Sequence, residues 1–123
     1  MDRETFEMIA AKAFDELPPE FKLRIENVHV VVQDLPDDFQ VDSLKLNSRS
    51  SLLGLYSGVP LNKRGPNYGM YPVLPDRITL YKSNIERICS TDSEVEEKIR
   101  EVLIHEVAHY FGMTDQEIRE AGY

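Results

Sequence analysis

The chain of 123 residues has one cysteine, no tryptophan and no long apolar run, and each shortage removes a class of protein. A single thiol, Cys89, cannot close an intrachain disulfide, which excludes a disulfide-stapled scaffold. Next to Ile88 it reads as a small buried hydrophobe rather than a nucleophile. No apolar stretch approaches the roughly 18 residues that a membrane-spanning helix needs. Basic residues are also scarce: 14 Lys and Arg stand against 22 Asp and Glu, a net charge of -8. No Lys/Arg cluster offsets that balance, so the electrostatic footprint of a nucleic-acid binder is missing and polyanions are repelled. The N-terminus, Met1-Asp2-Arg3-Glu4-Thr5-Phe6, lacks the basic and apolar segments of a secretory signal. These shortages predict a cytoplasmic protein with neither a nucleic-acid nor a membrane partner.

What is present fits one domain, residues 1–123, of ordinary globular composition. Phe6, Ile9, Ala10, Ala13, Phe14 and Leu17 recur at helical spacing, and Pro18-Pro19 stops that helix. A short helical turn is expected over residues 20–25. Val28-His29-Val30-Val31-Val32 is a strand by its β-branched content, with His29 expected as a hydrogen-bonded core histidine. Residues 35–42 read as a loop, and 52–59 as a short strand or turn. Gly, Pro and Asn recur from Pro60 to Pro75, a loop long enough to be functional. Residues 77–82 alternate polar and apolar, as a half-buried strand does. Residues 83–89 suit a short helix. Thr91 and Glu94 form a capping box that opens the main helix, which runs to about Phe111 and ends at Gly112. A last short helix is expected over 115–121.

On the main helix, Val95, Ile99, Val102, Glu106 and His109 fall on one side, with His105 beside them. A carboxylate and two imidazoles therefore interrupt an apolar stripe, where an unpaired charge is costly. The spacing supplies a reason. His105 and His109 are four residues apart, so both rings project from one face and can share a tetrahedral zinc. Glu106, rotated by one residue, lies near the metal without binding it, where it can take a proton from an activated water. Catalytic zinc needs a third protein ligand. With the sequence ending at Tyr123, a distant downstream Glu is not expected and Asp115 is the natural choice. Gly112 can take positive φ and turn the backbone sharply so that Asp115 reaches back. HExxH alone would arise by chance in about one chain of this composition in a hundred; Gly112 and Asp115 lower that to about a few in a hundred thousand.

The segment HEVAHYFGMTD resembles the HExxHxxGxxD signature of zincins, and the chain is similar to a small bacterial family of minimal zincin-like metallopeptidases. The resemblance extends to Leu53-Gly54-Leu55-Tyr56, Gly58-Val59-Pro60-Leu61 and Pro75-Asp76-Arg77-Ile78-Thr79-Leu80-Tyr81. It implies an α+β fold, with a small mixed sheet packed against the active-site helix and an N-terminal helix. It further implies an edge strand above the metal that pairs with an extended substrate; by position, residues 77–82 would be that strand. The sequence departs from larger zincins in having no residues for a Met-turn or substrate-binding subdomain.

Three functions compete. The first is a zinc-dependent metallopeptidase acting on a peptide or protein, with His105, His109 and Asp115 as ligands and Glu106 as general base. The second is an inactive zincin-like binding or regulatory module. The third is a metal-dependent RNA hydrolase, against which Glu106, Asp115 and the acidic charge argue. A peptidase also needs an oxyanion donor besides the metal; Tyr68, Tyr71, Tyr81 and Tyr123 are the candidates.

Overall fold

The computed structural model describes residues 1–70 and 74–123. Helix α1 (Arg3–Asp15) is capped by the Asp2 carboxylate, which accepts from the Thr5 amide. The short α2 (Pro19–Lys22) follows, then β1 (Val28–Gln33). Residues 35–42 are not all loop, because α3 (Asp38–Ser43) forms there. Its start is a capping box: Asp37 accepts from the Gln40 amide at 2.8 Å and Gln40 accepts from the Asp37 amide at 3.0 Å. A 3-10 turn (Arg49–Ser51) leads to β2 (Gly54–Ser57), and another (Leu61–Lys63) follows it. Then come β3 (Asp76–Tyr81), α4 (Lys82–Arg87), α5 (Asp92–Tyr110) and α6 (Asp115–Glu120). The architecture is α+β.

The sheet has the order β1-β3-β2, with β1 parallel and β2 antiparallel to β3. Two expectations fail here. Residues 77–82 do not form an edge strand, since β3 is paired on both sides. Nor is β3 half-buried: of its six residues only Arg77 is exposed. The alternation in its sequence was a matter of residue type, whereas burial follows from its central place. The edge next to α5 is β2.

One face of the sheet carries the core. Ile78 and Leu80 of β3 meet Phe6, Ala10 and Ala13 of α1 and Val95, Ile99, Val102, Leu103 and Val107 of α5. Val28, Val30 and Val32 of β1 pack against the same cluster. His29 lies between them in sequence and so points to the other face, where it is exposed. It is not a core histidine. Cys89 is partly buried against the core, and burial pushes its thiol pKa up, as suits an inert residue. Among the described residues no helix is long and apolar enough to cross a membrane.

Candidate metal centre

The C-terminal end of α5 determines the geometry. Phe111 is the cap residue, Gly112 has φ of 88°, the Gly112 amide donates to the His109 carbonyl at 2.9 Å and the Met113 amide to the Ala108 carbonyl at 3.1 Å. That pair of bonds is a Schellman motif. It brings the Met113 carbonyl to His109 Nδ1 at 3.1 Å. Nδ1–H then donates to that carbonyl, which fixes the tautomer and leaves the Nε2 lone pair for a metal. Two residues on, Thr114 caps α6 in a second capping box with Glu117, so that Asp115 occupies the first position of α6. The T-x-x-E spacing of Thr114 and Glu117 was present in the sequence as the signal for this turn.

His105, His109 and Asp115 are brought together by this turn. Asp115 Oδ1 is 3.4 Å from His105 Nε2 and 3.1 Å from His109 Nε2, and the donor atoms of all three lie within 4.8 Å of one another. Tetrahedral bonds of about 2.0–2.1 Å separate two ligand atoms by about 3.3 Å. The donor set therefore fits a small divalent cation in both spacing and chemistry. Replacing Gly112 by Ala should weaken this arrangement twice over, through positive φ and because the added Cβ would fall on the Asn62 side chain. We expect a stability loss of about 2 kcal/mol in urea unfolding, with weaker metal binding.

Glu106 is outside the donor set and is 7% exposed. Its Oε1 accepts from the Tyr56 amide at 3.0 Å. The register explains why that amide is available. The Tyr81 amide donates to the Leu53 carbonyl, and alternation along the antiparallel pair then turns the Tyr56 N–H outward from β3. Close approach of β2 to α5 requires Gly54, where a Cβ would lie 2.6 Å from Val102 Cγ1 and 3.3 Å from Glu106 Cγ. Buried Asn84 fixes the entry to β2 by donating to the carbonyls of Arg49 and Leu52 at 2.6 and 2.8 Å. Burial raises the Glu106 pKa, while His109, His105 and the Tyr56 amide oppose the shift.

These groups line a cavity of about 530 Å³, walled by Gly54, Leu55 and Tyr56 on one side and by Pro60 and Lys63 on another. The wall at Pro60 and Lys63 is anchored from below. Arg64 and Asp76 form an ion pair at 2.9 Å with side chains 5% and 2% exposed. Arg64 also donates to the carbonyls of Val59 and Glu26 at 3.1 and 3.0 Å and lies over the rings of Tyr68 and Tyr110. Asp76 further accepts from the Val59 amide at 3.2 Å and from the Tyr56 hydroxyl, whose pKa is raised by burial and by that bond. None of this was visible in the sequence, where Arg64 and Asp76 sit in polar, loop-like surroundings twelve residues apart.

Of the tyrosines singled out as oxyanion donors, Tyr68, Tyr81 and Tyr123 do not line this cavity. The Tyr68 hydroxyl accepts from Asn27 Nδ2 at 2.8 Å. Tyr81 is fully buried, with its pKa pushed up to about 12 by burial. Tyr123 lines an adjoining cavity, and Tyr71 lies outside the described residues.

No curated protein gives a significant match. A solved structure, a conserved hypothetical protein from Thermus thermophilus, is 22% identical with a TM-score of 0.57. The match covers 90% of this chain and 94% of that one, a likeness of fold alone. The model of a family described as zincin-like metallopeptidase matches residues 25–123, most of the sequence, and the chain belongs to that family.

Proposed function

We propose that this protein is a zinc-dependent peptidase that hydrolyses a peptide bond in a substrate laid along the outer edge of β2. The observation that carries the reading is a His-His-Asp donor set, its atoms within 4.8 Å of one another, with a buried carboxylate beside it but outside it. The two His and Asp115 would hold the ion; His and carboxylate donors also accept other first-row metals, and zinc is the choice that the family favours. Zinc, when bound, supplies Lewis acidity and lowers the pKa of a water molecule at its open position.

The chain's own residues do the rest. Tyr56 N–H holds Glu106 Oε1, which orients the carboxylate. Glu106 takes a proton from the attacking water and delivers it to the departing amine. The edge of β2 supports extended binding. Tyr56 and Gly54 occupy alternate positions whose backbone groups face away from β3, so the Gly54 N–H and C=O and the Tyr56 C=O can pair with a peptide.

Elemental analysis after zinc loading and desalting tests the metal. About one zinc per chain is expected for the unaltered protein, and His109→Ala should weaken binding by more than about 100-fold. Turnover is tested on a fluorescence-quenched peptide library with zinc-loaded protein; absence of any cleavage across it would refute the reading.

A further inference from the structure

Two cavities adjoin at His105 and share Leu52, Gly54, His105 and Glu106, while His109 lines only the first. The second, of about 340 Å³, carries Lys98 and Glu101. Each cavity therefore has one lysine, and the two differ. Lys98 Nζ is 2.6 Å from a Glu101 carboxylate oxygen. Lys63 has no carboxylate partner among the described residues, although it lies in a chain of net charge -8.

Lys63 is also fixed at its base. It ends the 3-10 turn Leu61–Lys63, and its amide donates to the Pro60 carbonyl at 2.9 Å. The residue before it, Asn62, packs on Gly112, and the residue after it, Arg64, is held by the buried pair with Asp76. The backbone is clamped on both sides, and the ammonium swings on its side chain at the cavity wall. An unpaired cation on the wall of the cavity that holds His105, His109 and Asp115 offers that cavity a free positive charge, whereas the neighbouring cavity's Lys98 is already paired with Glu101.

We propose that Lys63 makes the cleft selective for substrates with an acidic side chain, or a free carboxylate, on one side of the scissile bond. The inference rests on the peptidase reading for what the cleft binds, but its test does not require turnover. Two series of metal-chelating probes fix the register of binding. Acetylated tripeptide hydroxamates extend toward the N-terminal side of the metal, and mercaptoacetyl tripeptides toward the C-terminal side. Each series carries Glu or Gln at one position, and dissociation constants are measured on zinc-loaded protein at low salt.

In one series, not both, the Glu probe should bind about 5-fold tighter than the Gln probe, the scale of an exposed ion pair. Lys63→Ala should remove the preference and Lys63→Glu should reverse it, with zinc content unchanged. Equal binding of Glu and Gln probes in both series would overturn the proposal. So would a preference that survives Lys63→Glu, or no binding of either series. Binding with the expected preference by a protein that cleaves no peptide would instead refute the peptidase reading and leave the selectivity standing.

Discussion

Zinc-loaded Glu106→Gln protein should retain its metal and cleave peptides about 10²–10⁴-fold more slowly than the unaltered protein, the usual worth of a positioned general base. The two properties separate because Glu106 lies outside the His105, His109 and Asp115 donor set. The amide side chain of Gln can still accept from the Tyr56 N–H, so the local geometry is kept while the proton acceptor is lost. Equal activity in the variant would eliminate Glu106 as the base. The metal-free variant should also be more stable than the metal-free parent at neutral pH. In the folded chain the Glu106 pKa is raised above its ordinary 4.5 by burial. The fold therefore accommodates the neutral acid below that range and loses stability as pH rises through the raised value. Gln does not titrate, so thermal unfolding should favour the variant at neutral pH and show little difference at acid pH.

Asp76→Ala should destabilise the protein by about 3–5 kcal/mol, the scale for stripping one partner from a buried ion pair. Arg64, whose side chain is 5% exposed in the unaltered protein, would lose its countercharge, and the Val59 amide and Tyr56 hydroxyl would lose their acceptor. Asp76→Asn removes the charge and keeps one of the two acceptor oxygens, the other becoming an NH2 donor, so its loss should be smaller than that of Ala. Urea unfolding of the three proteins at neutral pH reads the difference. An Asp76→Ala loss under about 1 kcal/mol would mean that water reaches Arg64 and that the pair is not a closed anchor.

The clustering of the two histidines with Asp115 was legible in the sequence because it is local. His105, Glu106, His109, Gly112 and Asp115 fall within one helix and its exit, where 100° per residue and a Gly with positive φ are enough to place them. The main helix and its capping box were legible for the same reason. What escaped was non-local. The alternating residues of β3 suggested a half-buried strand, and the family resemblance placed it at the edge by position, but alternation reports residue type and says nothing of how many neighbours a strand has. His29 followed the same error in reverse, since an apolar run does not reveal which face of β1 each residue takes. The Tyr56 amide cannot be found from any motif, because every residue has an amide and only the register of β2 on β3 turns this one toward Glu106. The buried Arg64–Asp76 pair belongs to the same class, as charged residues are ordinarily exposed.

All three candidate donor side chains lie within the eleven residues from His105 to Asp115, whereas Glu106 is held by a strand fifty residues earlier in the chain. An ion bound there closes only a short loop, so it removes little chain entropy from the unfolded protein compared with a long-range cross-link. Its grip falls on the exit of α5 and on α6. A fluctuation that lifts α6 away separates Asp115 from the histidines without disturbing the sheet, and the carboxylate of Glu106 stays where β2 holds it. The position of Asp115 thus depends on α6 and that of the Glu106 carboxylate on β2, with α5 contributing to both.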